Sequence, residues 1–414
     1  MFLEPPPPRR FDIGTLWSAG AGIHVVNAVV AFLFAITGPV AIVLTAAQQG
    51  KLSEADIASW LFGAFFLNGL ISLVFCLVYR QPLVFLWTIP GTILVGQALE
   101  HFSFPQVIGT YYATGALMFV LGLSGWVRAC LSRVPMPIVM AMVAGVFLQF
   151  GLNLIFALRD GLAIAGPMTA VFLLLSAMPR VARLMPPVIG ALIVGVAAIA
   201  WTGAFELRPV ELTFAHPTLH HPEFSWAAMV ELVLPLAITV LVAQNAQGFA
   251  VLEATGHKPP VNAVTTACGL GSLVAATVGA APTCFTGPAN AILVSSGDKE
   301  RHYMAGVLTS ILAILFGLFS PAFTQVALAL PKVFVATLAG LAFLKVLERA
   351  FVTSFNGAFT FGASVAFLIT VANVPVFSIG APFWAVLTGF AVSWWLERPD
   401  FDKLGAANTE RKAA

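Results

Sequence analysis

The stretch WTIPGTILVG, residues Trp87–Gly96, places a Pro-Gly pair in the middle of an apolar segment. Proline removes a backbone donor, and together with glycine it interrupts an α-helix. In membrane hydrocarbon each unpaired backbone N–H or C=O costs several kcal/mol. Non-helical backbone therefore persists there only where it faces protein, water or a ligand. The stretch predicts a broken helix that lines a site inside a membrane protein.

Composition and charge agree with that prediction. Hydrophobic residues make up 59% of the 414 residues, charged residues 9%, and the mean hydropathy is +0.94. Many apolar runs reach the length of about 20 residues that crosses a bilayer as an α-helix, whereas β-barrel strands would alternate over about ten residues. We therefore predict an all-α polytopic protein whose surroundings are the lipid bilayer, with no cofactor and no nucleic-acid partner. The four cysteines lie in apolar runs without metal-ligand or disulfide spacing, and are predicted to be packing residues: Cys76, Cys130, Cys268 and Cys284.

The apolar runs divide into fourteen segments. Their approximate cores, numbered 1 to 14, are 22–47, 59–79, 83–101, 106–127, 136–157, 162–178, 185–203, 224–254, 260–279, 283–297, 303–328, 332–352, 358–372 and 380–396. With the amino terminus in the cytoplasm, sixteen of the 20 Lys and Arg residues fall on the cytoplasmic side. The positive-inside rule therefore predicts a multi-pass inner (plasma) membrane protein with both termini cytoplasmic.

The two halves of the chain resemble each other. GLISLV (Gly69–Val74) matches GLGSLV (Gly269–Val274), and PGTILVG (Pro90–Gly96) matches PANAILVSSG (Pro288–Gly297). Because each half holds seven segments, an odd number, the second half enters the membrane the opposite way up, as in many secondary transporters. The predicted divisions are a cytoplasmic tail at 1–20, a first repeat at 21–203, an external loop at 204–223, a second repeat at 224–397 and a cytoplasmic tail at 398–414.

The matched Pro-containing stretches predict half-helices in segments 3 and 10. Extended backbone is expected over Leu86–Ile89 and Thr283–Gly287, with helices that start near Pro90 and Pro288. Helix amino ends attract anions, so the two starts would converge on an anionic substrate near the bilayer midplane. The candidate substrate-binding residues are Thr37, Gly38, Trp87, Thr88, Pro90, Gly91, Thr92, Gln244, Asn245, Cys284, Phe285, Thr286, Gly287, Pro288, Ala289 and Asn290.

Few ionisable residues lie deep in the segments. Glu231, inside segment 8, is the candidate for a proton-linked carboxylate, and the alternative is a glutamate in a water-filled vestibule. Lys345 and Glu348 could pair on segment 12, being three residues apart. The stretch HPTLHHPE, His216–Glu223, lacks metal-ligand spacing and is predicted to be a solvated external loop. Gln244, Asn245 and Gln247 could either hold a substrate or brace the half-helices.

Three stretches resemble the benzoate transporter (BenE-type) family. They are SWLFGAFFLNGLISLVFCLVYRQPLVFLWTIPGTILVGQAL at Ser59–Leu99, PMPIVMAMVAGVFLQFG at Pro135–Gly151 and QNAQGFAVLEATGHKPP at Gln244–Pro260. The resemblance implies the fold of uracil permeases and sulfate or anion transporters. That fold has a core domain of segments 1–4 and 8–11, a gate domain of segments 5–7 and 12–14, and a substrate between segments 3 and 10. It also implies proton-coupled uptake of benzoate or a related aromatic carboxylate, and it is compatible with a homodimer.

Two departures from the family pattern concern the substrate. This chain has Trp87-Thr88-Ile89 where the family has Trp-Ser-Thr, and Cys284-Phe285-Thr286 where it has an Asn-Leu-Ala-like run. The carboxylates that nucleobase transporters carry on segments 8 and 10 are absent, which argues against uracil or xanthine.

The resulting hypothesis is a secondary transporter for a small organic anion, with protons as the coupling ion. The carboxylate would sit between Gly91-Thr92 and Ala289-Asn290, with Trp87 and Phe285 flanking a ring. Thr88, Thr286, Gln244 and Asn245 would supply hydrogen bonds. The alternatives are a channel or anion exchanger on the same fold, an intramembrane enzyme, and a non-transporting scaffold or sensor. The sequence shows no nucleophile or metal motif for an enzyme and no appended domain for a scaffold.

Overall fold

The computed structural model describes residues 3–6, 21–127, 135–178, 181, 185–203, 212–295, 297–374, 376 and 381–402. The predictions made for most of the 1–20 tail, for residues 204–211 of the external loop, for residues 403–414 and for Cys130 lie outside these residues. Each of the other three cysteines is buried and free.

Each of the fourteen predicted segments contains a helix. The uninterrupted ones are segments 4 (Phe104–Ser124), 5 (Met136–Asp160), 6 (Leu162–Ser176), 7 (Pro187–Thr202), 9 (Val261–Ala276), 11 (His302–Leu318), 12 (Lys332–Phe355), 13 (Thr360–Ala372) and 14 (Ala381–Leu396). Segment 1 consists of Ala21–Ile36 and Gly38–Gln49. Segments 2 and 8 each contain a π-helical stretch: Glu54–Phe62, Gly63–Leu67 and Asn68–Tyr79 form segment 2, and Trp226–Ile238, Thr239–Asn245 and Ala246–Ala254 form segment 8.

Segments 3 and 10 contain the predicted half-helices. A strand, β1 (Phe85–Trp87), precedes the ten-residue helix Ile89–Ala98, and a strand, β2 (Thr283–Phe285), precedes the seven-residue helix Gly287–Leu293. At 1.5 Å per residue these helices are about 15 Å and 10 Å long, so neither can cross the hydrocarbon alone. The prediction of half-helices at Pro90 and Pro288 is confirmed.

The two strands pair with each other in the middle of the molecule. They are antiparallel, with Leu86 opposite Cys284, Phe85 opposite Phe285 and Trp87 opposite Thr283. Each of these residues is buried. The sheet is therefore symmetric about the Leu86–Cys284 pair, as two inverted repeats require.

The segments pack in two groups. Segments 1–4 and 8–11 contact mainly one another, and segment 5 packs most extensively against segment 12 and then segment 13 within the second group. The groups meet chiefly where Gly38–Gln49 of segment 1 lies against segment 12. These groups correspond to the core and gate domains that the family resemblance implies, and they are called by those names below.

Segment 11 is shorter than predicted. The sequence suggested one run over 303–328, but the helix ends at Leu318, and Ser320–Leu328 forms a separate helix inclined at 109° to segment 12. Phe319 leaves the helical conformation, and Pro321 in the next turn cannot continue a helix from segment 11. The Ser320 hydroxyl donates to the Ala58 carbonyl over 2.8 Å, which fixes the short helix on segment 2.

The prediction that His216–Glu223 is a solvated loop is confirmed, because all of its residues are exposed or half-buried, but part of the stretch is also bonded to the core domain. The Thr218 N–H donates to the Ser59 hydroxyl over 2.9 Å, and the His220 N–H donates to the Thr277 carbonyl. The His220 ring packs edge-on against Phe104, and burial lowers the pKa of His220, although the Asp56 carboxylate opposes this effect. The loop is therefore held on the core domain.

Candidate functional site

The break in segment 3 is held by side chains from both halves of the chain. Asn290, on the helix of segment 10, accepts from the Val84 N–H over 3.1 Å and donates to the Val84 carbonyl over 3.0 Å. The Ser72 hydroxyl on segment 2 accepts from the Phe85 N–H over 2.8 Å. Backbone groups that would otherwise be unpaired at membrane depth are thus satisfied inside the protein.

The break in segment 10 is held in an equivalent way. Asn245 accepts from the Phe285 N–H over 2.7 Å, and the Ser272 hydroxyl accepts from the Thr283 N–H over 2.9 Å. Ser72 and Ser272 occupy the same position of the repeated GLISLV and GLGSLV motifs. The repeat therefore conserves a hydroxyl clamp on each strand, and Asn245 braces the break.

The start of the segment 3 helix is capped by Thr88. Its hydroxyl accepts from the Gly91 N–H over 3.2 Å and donates to the Thr239 hydroxyl over 3.1 Å. Thr92 lies one turn further on and donates its hydroxyl to the Thr88 carbonyl. Because the Gly91 N–H is already bonded to Thr88, the positive end of this helix would attract an anion through its dipole more than through that N–H.

A cavity of about 360 Å³ lies between the two proline-initiated helices. Small-molecule sites commonly have volumes of roughly 300–1,000 Å³. Ile89 and Pro90 form one side, and Pro288, Ala291 and Ile292 form the other. The remaining lining residues, from segments 1, 5, 8 and 12, are Phe34, Met140, Val143, Phe147, Ala243, Gln244, Gln247, Ala342, Phe343, Lys345, Val346 and Arg349.

Gln244 is the predicted hydrogen-bonding residue that reaches this cavity. Its side chain is 6% exposed, and its amide oxygen is buried without a hydrogen-bond partner. The two ends of an amide are assigned by their partners, so a flip of this group would present the nitrogen as a donor instead. A buried amide without a partner is costly, and a bound ligand would remove that cost.

Only three of the sixteen predicted binding residues line the cavity, namely Pro90, Gln244 and Pro288. Trp87 is buried edge-on against Phe65, and Phe285 stacks on Phe249, so neither ring faces the cavity. The others lie behind its walls or outside it: Thr37, Gly38, Thr88, Gly91, Thr92, Asn245, Cys284, Thr286, Gly287, Ala289 and Asn290.

The cavity also has an aromatic wall that was not predicted from the sequence. Phe147 of segment 5 and Phe343 of segment 12 stack with ring centroids 5.1 Å apart, and Phe34 completes the wall. Phenylalanine is common throughout the chain, so nothing local distinguishes these three. Lys345 and Arg349 carried a usable signal, because they are two cations four residues apart in an apolar segment.

The cavity continues toward the carboxyl end of segment 12. A second space adjoins it there and is called the outer space below. It is lined by Met136, Ala250, Val352 and Thr353, and it shares Met140, Gln247 and Arg349 with the first cavity. The expected Lys345–Glu348 pair does not form, because no ion pair is present between these two described residues. Glu348 instead faces the outer space.

Glu231 lines a separate cavity of about 130 Å³ on the opposite side of the molecule. Its side chain is 6% exposed, and its carboxylate oxygens lie 3.1 and 3.2 Å from Nε2 of His101, which is 44% exposed. The cavity is bordered by segments 3 and 8 of the core and by Asn373, Ala381 and Pro382 of the gate. The contact between His101 and Glu231 therefore joins segments 3 and 8 beside the gate.

Known proteins resemble this chain over nearly its whole length. The benzoate membrane transport protein (BenE) family matches residues 20–394. The inner membrane protein YdcO of Escherichia coli K12 is 30% identical over 87% of this chain and 92% of its own length. The benzoate membrane transport protein of Acinetobacter baylyi is 28% identical over 92% of this chain and 96% of its own.

Solved structures agree on the fold. The transmembrane domain of the cyanobacterial bicarbonate transporter BicA superposes with a TM-score of 0.62 at 14% identity, covering 90% of this chain and 98% of that domain. The structure of murine Slc26a9, an anion transporter in the inward-facing state, superposes with a TM-score of 0.62 at 15% identity. This match covers 93% of this chain and 69% of the Slc26a9 chain. The predictions of an inverted-repeat fold and of a transporter rather than an enzyme are therefore confirmed. The chain belongs to the benzoate membrane transport protein (BenE) family of multi-pass membrane transporters.

Proposed function

We propose that this protein imports benzoate or a related aromatic carboxylate across the inner membrane by proton symport, with both termini in the cytoplasm. The observation that carries the proposal is the composition of the cavity between Pro90 and Pro288. It combines an aromatic wall, the positive end of the segment 3 helix and the amide of Gln244. The name of the Acinetobacter relative supports the same substrate class.

The substrate would use both faces of this cavity. Its ring would lie against Phe147 and Phe343, where offset aromatic contacts add about 0.5–1.5 kcal/mol beyond area burial. Its carboxylate would accept from the Gln244 amide near the start of the segment 3 helix, whose macrodipole amounts to roughly half a positive charge. Trp87 and Phe285, expected earlier to flank the ring, would act from behind by holding the strands.

Transport would follow from movement of the core domain against the gate domain in an elevator-like or rocking motion. The cavity draws residues from both domains and continues toward the carboxyl end of segment 12, which the positive-inside rule predicts to be cytoplasmic. On the opposite side, the cavity around Glu231 and a cavity of about 190 Å³ lined by Thr37 and Phe334 lie between the domains, and both are smaller than the cavity between the half-helices. This arrangement corresponds to an inward-facing carrier.

Proton coupling would use Glu231 and His101. Protonation of Glu231 would weaken its attraction to His101 between segments 3 and 8, and so alter the core surface that faces the gate. We expect Glu231→Gln to retain anion binding but to lose stimulation of uptake by an inward proton gradient. Equal stimulation in the variant and the wild type would exclude Glu231 from the coupling.

A second candidate is exchange or channel-like passage of inorganic anions. It is favoured by the fold shared with BicA and Slc26a9, at identities that carry the fold alone. The aromatic wall distinguishes the candidates, because an inorganic anion gains nothing from Phe147 or Phe343.

Isothermal titration calorimetry on the purified protein tests the choice. We expect saturable binding of benzoate, and weaker binding of bicarbonate, sulfate and chloride. Phe343→Ala should weaken benzoate binding and leave inorganic anions unaffected. Binding of bicarbonate or sulfate in preference to benzoate would overturn the aromatic substrate and favour the second candidate.

A further inference from the structure

Two cations of the gate domain face the same cavity as Gln244 of the core domain. Lys345 and Arg349 are four residues apart in the helix of segment 12, so their side chains leave the same helix face. Both line the cavity between the half-helices, and Arg349 also lines the outer space. Arg349 therefore stands at the mouth, and Lys345 stands further in.

These charges have no acidic partner in the described part of the chain. No carboxylate is paired with Lys345 or Arg349 there, and Glu348 lies beside them without an ion pair. A cation at membrane depth is expensive unless it is paired or lies in a water-filled space. Two such cations at the wall of one cavity produce a positive potential that draws in anions.

We propose that Lys345 and Arg349 are specificity-determining residues that receive the carboxylate of the substrate from the gate side. Arg349 meets the anion at the mouth, and Lys345 holds it across the cavity from Gln244. The assignment rests on the function proposed above, because it concerns the same cavity. It adds that the carrier distinguishes a carboxylate from its uncharged analogue through segment 12.

The placement of the two cations gives them a role in movement as well. A carboxylate bound between Lys345 and Gln244 would contact both the gate domain and the core domain. The negative charge of the carboxylate would then be neutralised at the surface between the two domains. Without an anion, the cavity holds two cations and the positive end of the segment 3 helix, which repel one another. The bound anion removes this repulsion.

Competition against labelled benzoate tests the assignment. The competitors are unlabelled benzoate and benzamide, which keeps the ring and lacks the charge. The proteins are wild type, Lys345→Gln, Arg349→Gln and the double variant, in uncharged detergent without anionic lipid, so that lipid phosphates cannot occupy the cations. Lys332→Gln is the matched control, because Lys332 begins the same helix and does not line the cavity.

We expect each single variant to bind benzoate about tenfold more weakly, as for the loss of one charge-assisted hydrogen bond. Benzamide should bind equally to every variant, so the preference for the carboxylate should shrink and should return in Lys345→Arg. Glu348→Gln should strengthen benzoate binding slightly, since it removes a negative charge near the mouth.

Wild-type strength of benzoate binding in the double variant would overturn the assignment while leaving the aromatic carboxylate as the substrate. Equal loss of benzoate and benzamide binding would also overturn it, because that result indicates a structural effect. If wild type binds neither compound, the same variants are titrated with bicarbonate. Loss of bicarbonate binding would then support the cations and discard the aromatic substrate, and unchanged binding would discard both.

Discussion

Gln244 and Asn245 are neighbours in segment 8 with different tasks. The side-chain oxygen of Asn245 accepts a hydrogen bond from the Phe285 N–H. The side-chain oxygen of Gln244 has no hydrogen-bond partner, and the Gln244 side chain lines the cavity. Both are buried amides, and the sequence left open whether each binds or braces. The structure separates them by what each side chain contacts.

Gln244→Leu should weaken anion binding without lowering stability. The lost hydrogen bond to a charged ligand is worth about 1.5–3 kcal/mol, or roughly a tenfold to hundredfold increase in Kd, whereas no internal hydrogen bond of its oxygen is lost. Calorimetry for Kd and thermal unfolding for stability check the two parts.

Asn245→Leu is the matched comparison for that experiment. It leaves the Phe285 N–H buried and unpaired, which costs about 1–3 kcal/mol, so its apparent Tm should fall. Equal losses of stability in the two variants would contradict the separation of tasks.

Local sequence identified only a small part of the cavity's lining, namely Pro90, Gln244 and Pro288. Pro90 and Pro288 predict the breaks because proline restricts the backbone next to it in sequence. The directions of Trp87 and Phe285 depend on the pairing of two strands almost 200 residues apart in the chain, which no local pattern encodes. Phe147, Phe343 and the two gate cations likewise reach the cavity only through packing between segments.

The antiparallel pairing of β1 with β2 joins the two breaks in segments 3 and 10. Ser72 bonds the backbone of β1 and Asn290 that of Val84 just before it, while Asn245 and Ser272 bond the backbone of β2. The sequence predicted extended backbone at both breaks and gave no register, because three-residue strands carry no alternating pattern of their own.

Asn290→Ala should destabilise the protein more than most core substitutions. It leaves the Val84 N–H and carbonyl without their side-chain partner, at about 1–3 kcal/mol for each buried group. Apparent Tm in detergent measures the loss. Ser354→Ala is the control, because the buried Ser354 hydroxyl only donates to the Ala350 carbonyl within its own helix. A drop no larger than that of the control would show that the break is held by other groups.

The contact between domains depends on a close approach at Gly38. A Cβ added there would lie 2.4 Å from Cβ of Ala342, which is on the gate helix of segment 12. Gly38→Val should therefore disfavour this arrangement of the two domains and reduce uptake while the core domain stays folded. Uptake and thermal unfolding are compared with Gly22→Val, where a Cβ would meet nothing within 4 Å. Full uptake by Gly38→Val would mean that the domains do not pass through this contact.

Acid should destabilise the molecule through a cluster of buried histidines. Four influences set the pKa of His257 at about 4, against an ordinary value of 6.5. Burial lowers it most, His302 and Lys299 lower it by smaller amounts, and Glu300 raises it. His257 Nε2 lies 3.1 Å from Nδ1 of His302. If both imidazoles became cationic, both of these nitrogens would carry a hydrogen, and the hydrogen bond between the rings would be lost.

The unfolded chain binds a proton at His257 near pH 6.5 and the folded chain only near pH 4. Between these values the unfolded state holds more protons, so stability present above pH 6.5 is lost progressively as the pH falls toward 4. Apparent Tm measured across this range should fall less steeply in His257→Gln than in wild type. Parallel slopes would contradict the assignment of the acid sensitivity to His257.

Uptake of labelled benzoate into proteoliposomes tests the central claim most directly, with wild type and Gln244→Leu compared in the presence and absence of an inward proton gradient. We predict saturable uptake by wild type that the gradient accelerates, and a raised KM in the variant with unchanged folding. Wild type that is folded and reconstituted, yet shows no saturable benzoate uptake under either condition, would contradict the assignment of the cavity to an aromatic carboxylate.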